Sequence, residues 1–406
     1  MDYILIILYV LIFFVSKSVF EKKYGYVFNA TFLTTSIWCL FASLSVINPN
    51  GLRQPSLTVH FYSITFLVLF NFFSSIFCFN HKKSITSNLR VLDLKKVNKR
   101  FIIIETILIM ILSPLILLGF KAILNGNGGE YRSMVYFGSD FGFFTRTIPV
   151  SLLNILLIIS LFFYFRNKSN VYLINTIFLV ILISIISAGR GAIFSFIVLY
   201  FFMSIIYSSF GSKISRVPLF IALFLMFFMT VFVRNSHLIR STVSYFSGSF
   251  SFLDYILAYP KEYGMDTYHY GFITFSPITE PLMYVLKVLG LTTEKIPSYY
   301  FNFYVQDFVD IGDVNNIAMF NNNTTALFAF LIDGGVYGII LGALFLSYLS
   351  IKSYGFLIKD NLIGSIFYFY VVYGLFMTTI SYQSFMSVNP LLVIIISYLC
   401  LKPLLK

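Results

Sequence analysis

The chain has 406 residues, of which 58% are apolar and 11% charged, with a mean hydropathy of +0.87 and a net charge of +12. Soluble domains carry about 25% charged residues, so this composition excludes a water-soluble globular enzyme and indicates an integral membrane protein. The positive charge does not call for nucleic acid, which is not among the expected partners, because its placement in loops explains it better.

The chain opens on Met1-Asp-Tyr-Ile, without a basic n-region or a small-residue cleavage site, and reads as a first span and not a removed signal peptide. Apolar runs follow at 3–16, 28–47, 57–79, 101–120, 147–165, 171–188, 191–209, 217–233, 324–349, 361–380 and 386–401. They predict an all-α polytopic membrane protein with about eleven transmembrane helices. A barrel would show alternation instead. The expected organisation is an N-terminal bundle of about eight spans (1–233), a long external loop containing short helices (234–323), and about three C-terminal spans (324–406). Cys39, Cys78 and Cys400 all fall in apolar runs, with no metal spacing or disulfide framework.

Orientation follows from the basic residues. The loop between the third and fourth runs carries Lys82, Lys83, Arg90, Lys95, Lys96, Lys99 and Arg100, and loops on its side bring the total to 18 of 28 basic residues. The positive-inside rule places that side in the cytoplasm, with the C-terminus, and leaves the N-terminus and 234–323 outside. The expected location is a plasma membrane, which the resemblance described below implies to be the bacterial inner membrane.

Candidate functional residues are those left on the outer side. Arg190, in Ser187-Ala-Gly-Arg-Gly-Ala192, sits where two apolar runs almost touch. A cation there needs an anionic partner or must snorkel to the interface. Arg234, His237 and Arg240 follow the eighth run at a spacing of three, which on a continuing helix puts them on one face. Two guanidiniums on one face suit a diphosphate, and His237 titrates near neutrality and so suits a general base. A solvated helix end reads equally well for His237 and Arg240. The stretch 245–304 mixes tyrosines, phenylalanines and carboxylates, which suits either sugar binding or an interfacial aromatic belt. Asp307, Asp310 and Asp313 are spaced to form one helical face, more readily solvated than metal-binding. Asp333, about nine residues into a span entered at Thr324, is expected at roughly 13 Å depth by helix rise. It is either catalytic or paired to an external arginine. Gly334, Gly335 and Gly338 beside it permit close approach of another helix or a lipid chain. Arg132 and Arg146, near a glycine-rich outer loop, are weaker candidates for the anion site.

In this order, Ser187-Ala-Gly-Arg190-Gly-Ala, Arg234 at the head of a long outer loop, and Asn323-Thr-Thr-Ala-Leu-Phe-Ala-Phe-Leu-Ile-Asp333-Gly-Gly-Val-Tyr-Gly338 resemble the Wzy-type oligosaccharide repeat-unit polymerases of O-antigen and capsule assembly. The resemblance implies a GT-C-like fold and a metal-independent glycosyltransferase without a cofactor. The growing glycan would pass from its undecaprenyl-diphosphate carrier onto a new lipid-linked unit. Arg190, Arg234 and Arg240 would bind the diphosphate, and His237 or an outer carboxylate would deprotonate the acceptor. Catalytic roles are thus expected for His237 and Asp333. The lipid bilayer, lipid-linked oligosaccharides and a chain-length regulator are the implied partners. An O-antigen ligase shares the donor chemistry. A lipid-linked oligosaccharide flippase would carry charges through many spans and show internal symmetry, neither of which is evident.

Overall fold

The structure is a computed structural model that describes residues 2–24, 29–48, 51–78, 95–128, 131, 143–187, 189, 191–209, 238–305, 307–312, 318–320, 324–386 and 388–402. The helices, in order, are α1 (Asp2–Tyr24), α2 (Ala30–Ile47), α3 (Leu57–Phe77), α4 (Lys95–Leu124), α5 (Phe143–Asn167), α6 (Asn170–Ser187), α7 (Gly191–Ser209), α8 (Leu238–Ala258), α9 (Ser276–Val288), α10 (Pro297–Val305), α11 (Ala326–Ile358), α12 (Leu362–Met377) and α13 (Asn389–Leu401). One antiparallel pair, β1 (Val309–Asp310) and β2 (Met319–Phe320), places Val309 opposite Phe320.

Among the described residues, eight helices, α1 to α7 and α11, are long and apolar enough to cross a membrane. The chain is therefore a helical polytopic membrane protein. Each expected apolar run falls on a helix except 217–233, which lies outside the described residues. The last two helices, with 16 and 13 residues, are shorter than the runs that predict them. A crossing needs about twenty residues. Polar residues explain the shortfall: Thr378, Thr379, Ser381 and Gln383 interrupt the apolar run, and Pro390 suits the start of α13. The connecting backbone is irregular, yet Thr378, Thr379 and Tyr382 are fully buried. Irregular backbone at membrane depth is tolerated where protein covers it.

The chain forms two compact units that do not follow sequence order. One comprises Met1–Ser84, Ile239–Gly355 and Val371–Pro390, and the other Ile85–Leu238, Phe356–Tyr370 and Leu391–Lys406. In the first unit, α2 is started by Asn29, whose side chain accepts the Phe32 N–H at 2.9 Å, and ended by Asn48 in the left-handed region. Its Trp38 donates to Thr378 Oγ1 at 2.9 Å and meets Phe250 of α8 edge-on. The stretch read as a polar loop thus opens on a 21-residue helix that is part of a core. Phe250, Phe252, Leu253 and Ile256 of α8 are fully buried. Each such side chain contributes about 1.5–3 kcal/mol. Its serines tolerate this burial by bonding backbone carbonyls, as Ser249 does to Phe246 and Thr379.

In the second unit, Phe101, Phe163 and Tyr172 pack edge to face across α4, α5 and α6. Arg166, at the end of α5, is buried and ion-paired to Asp360 at 2.6 Å. Glu105 of α4 is buried as well.

Candidate functional site

The candidate site is built on a break in α11. Gly334 (φ −176°, ψ 29°) and Gly335 (φ 57°, ψ −133°) leave helical geometry, so 326–333 and 336–358 are two helices joined by a turn. Residues eight apart on a straight helix stand about 12 Å apart. Here a Cβ on Gly338 would lie 1.8 Å from the Phe330 carbonyl oxygen, and one on Gly342 would lie 2.6 Å from the Phe330 ring. The two limbs therefore fold against each other through Gly338 and Gly342, spaced four apart. Asp333 is therefore the last residue of the first limb, at the apex of a helical hairpin, and the span does not run straight on past it. The cause is Gly335, whose positive φ ends the first limb where a side chain would be strained.

The apex is fastened to the turn between α8 and α9. The backbone N–H groups of His269 and Tyr270 donate to the Ile332 and Asp333 carbonyls at 3.1 and 2.8 Å. The Asp333 carboxylate accepts the backbone N–H groups of Ile273, at 3.0 Å, and Thr274. Tyr382 donates its hydroxyl to the Thr274 carbonyl. One carboxylate, 1% exposed, thus holds a four-residue turn in place. Hydrogen bonds to a charged acceptor contribute about 1.5–3 kcal/mol each. Among the described residues Asp333 forms no ion pair, and the side chains of the external arginines considered as its partner lie outside them.

His269 escaped the sequence reading. It is half-buried, its ring lies 4.9 Å from that of Tyr300, and its buried Nε2 has no hydrogen-bond partner among the described residues. Burial holds its pKa below the ordinary 6.5, while the Asp333 charge acts in the other direction. The imidazole is therefore neutral at pH 7, with a nitrogen able to accept a proton. Tyr270 and Tyr337, 89% and 79% exposed, stand on the two segments joined at the apex, and Tyr268 lies against Gly335. The signal available in sequence was Tyr268-His-Tyr270 within the aromatic stretch, around one of only four histidines.

Of the residues singled out from sequence, Arg190, Arg234 and His237 lie outside the described residues, as do Arg132 and Arg146 for their side chains. Of Arg240 only the backbone, in the first turn of α8, is described. Of the acidic face expected of Asp307, Asp310 and Asp313, the first two are not helical and Asp313 lies outside the described residues. Asp310 lies on β1 and accepts the N–H groups of Gly312 and Ala318 at 2.9 and 2.8 Å, which hold its carboxyl below the usual range. Asp310 thus serves as a turn-closing aspartate. Arg53, in the turn before α3, is committed to structure. Its Nε meets Asp254 at 2.7 Å, Asp254 also takes the Ser56 N–H, and the Arg53 N–H bonds Ile311. Among the described residues no group of three His, Cys, Asp or Glu side chains is placed to hold a metal. No protein-family model, curated protein or solved structure matches the chain.

Proposed function

We propose that the chain is a membrane glycosyltransferase of the bacterial plasma membrane that polymerises undecaprenyl-diphosphate-linked oligosaccharide repeat units at the outer leaflet. The supporting observation is the pairing of Asp333 and His269. A buried carboxylate fixes a polar turn of the first unit, and that turn carries a neutral imidazole with an unsatisfied nitrogen. The turn joins α11 at its apex, the end of the 336–358 limb away from Lys352, which the positive-inside rule makes the external end.

In this reading the acceptor hydroxyl oxygen attacks the anomeric carbon of the donor. Its proton passes to a histidine nitrogen, and the bond from that carbon to the diphosphate breaks with the electron pair going to the diphosphate. His269 joins His237 as a candidate for the proton acceptor. Arg190, Arg234 and Arg240 remain the candidates for diphosphate binding, because guanidiniums stabilise the charge that develops on the leaving group. Asp333 acts as a positioning residue, since its oxygens are taken by the amides of Ile273 and Thr274. A chain-length regulator is the proposed protein partner.

The test is the surface-glycan ladder of cells deleted for the gene and complemented with wild type, His269→Gln, His237→Gln, Arg190→Ala or Arg234→Ala. Loss of the ladder, with a single repeat unit still on its normal terminal acceptor, supports polymerisation. Long glycan stranded on the lipid carrier means a ligase, and repeat units held on the cytoplasmic leaflet mean a flippase.

A further inference from the structure

Helix α9 is turned inside out for an element bathed in water. Its inward face carries Ser276 and Glu280, both fully buried, and Met283, at spacings of four and three. Glu280 is held by the backbone N–H and the hydroxyl of Ser298, at 3.1 and 3.0 Å. The opposite face presents Ile278, Leu282, Val285 and Leu289, at spacings of four, three and four, each at least 55% exposed, and Val288 beside them is 87% exposed. A helix on a water-facing surface shows the reverse pattern, with its apolar stripe inward and charge outward. Four aliphatic side chains in one exposed row, with no charge among them, mark a surface that something apolar covers.

The surroundings say what covers it. Phe275, the residue that opens α9, packs edge-on against Phe345 of α11 at 5.2 Å between ring centroids. Phe345 lies nine residues past Val336, well along a limb that is long and apolar enough to span a membrane. That limb exposes Leu341 and Tyr348 on its flank, which on a spanning helix faces lipid. The α9 stripe therefore begins beside a lipid-facing surface and continues it. Around the stripe stand groups suited to the headgroup layer. Tyr299, next to the Ser298 that holds Glu280, is exposed, and Lys295 sits over its ring at 4.9 Å.

We infer that α9 lies in the bilayer, with Ile278, Leu282, Val285 and Leu289 in the acyl-chain region of the leaflet next to the α11 apex. The element is an interfacial helix of a kind described for membrane-surface proteins, here held from its polar side by Ser298. The consequence is that the turn carrying His269 and Thr274, which runs straight into α9, is set at the level of lipid-borne groups and not of the aqueous phase. The inference stands on burial and packing alone and does not depend on the glycosyltransferase reading.

The test uses the full chain in nanodiscs of phosphatidylethanolamine and phosphatidylglycerol. The protein has one tryptophan, Trp38, which is fully buried, so an added indole reports against a shielded background. Leu282→Trp and Val285→Trp are compared with Lys261→Trp and Glu294→Trp, all at exposed positions. The added emission at 282 and 285 is expected to be blue-shifted and quenched several-fold more strongly by chain-brominated lipid than by iodide, with the order reversed at 261 and 294. Iodide quenching of the 282 and 285 indoles as strong as at the controls would overturn the inference by placing the stripe in water. Protection from both quenchers would overturn it by placing a protein partner, or a second copy of the chain, on the stripe. Ile278→Trp repeats the test should either variant fail to fold.

Discussion

The carbonyl oxygen of Phe330 occupies the place where a side chain on Gly338 would begin, 1.8 Å from an ideal Cβ. This contact makes two helices of what reads as one span, and it brings Asp333 to the tip of the resulting hairpin. The functional reading depends on that hairpin, so its glycines carry the first prediction.

Gly338→Ala is expected to destabilise the protein by about 3 kcal/mol, the upper part of the range for overpacking, because the obstructing atom belongs to the backbone and cannot rotate away. Gly335→Ala is expected to cost about 1–3 kcal/mol through its positive φ. Gly355→Ala is the control: a Cβ there meets nothing within 4 Å, and in a helix interior alanine gains about 0.5–1 kcal/mol. Thermal unfolding of the three variants in one detergent measures this, with the melting temperature falling for the first two and holding or rising for the third.

Asp333→Asn keeps the shape of the side chain but offers one acceptor oxygen to two amides. Leaving one buried N–H unsatisfied is expected to cost about 1–3 kcal/mol. Amide hydrogen exchange is expected to speed up at Ile273 and Thr274 and to stay unchanged at the α2 core. Unaltered exchange at both residues would show that the carboxylate does not hold the turn.

His269 carries a pH dependence of known sign. Burial sets its folded pKa below the unfolded value of about 6.5. The unfolded chain therefore binds the extra proton first. The stability associated with this residue is complete above pH about 6.5 and is lost as the pH falls below it. Glycan transfer by purified protein is expected to decline at a lower pH than the onset of that loss, as the folded imidazole itself becomes charged. His269→Gln is expected to flatten the stability slope and to lower transfer by the 10²- to 10⁴-fold typical of a lost general base. A flattened slope with full transfer would assign the base to another residue.

The Arg53–Asp254 pair ties the turn before α3 to α8, but Arg53 is more than a third exposed. Arg53→Ala is accordingly expected to cost about 1 kcal/mol or less. Asp254→Ala, which also strips the Ser56 N–H of its acceptor, is expected to cost more. A double-mutant cycle on unfolding separates the two contributions.

Much of the architecture could be read in advance because lipid imposes simple demands on a sequence. A span must be apolar over about twenty residues and its backbone must satisfy itself, so α1 to α7 and α11 follow from hydropathy alone. The cysteines, all in apolar runs, are buried for the same reason. Local chemistry also marked Asp333 and the glycines after it, since a carboxylate in an apolar run is costly wherever it sits. What each residue does there was settled by contacts between segments far apart in the chain. Asp333 receives the amides of residues sixty positions earlier, and His269 is brought to it from a stretch that read only as aromatic and polar. Asp310 serves a hairpin because its partners are at 312 and 318, where spacing alone suggested a helix. The inward turn of Glu280 depends on Ser298 in the same way. Hydropathy records how each segment meets its solvent, which is a property of the segment itself. Hydrogen bonds and glycine contacts record which segments meet each other, and only the folded chain decides that.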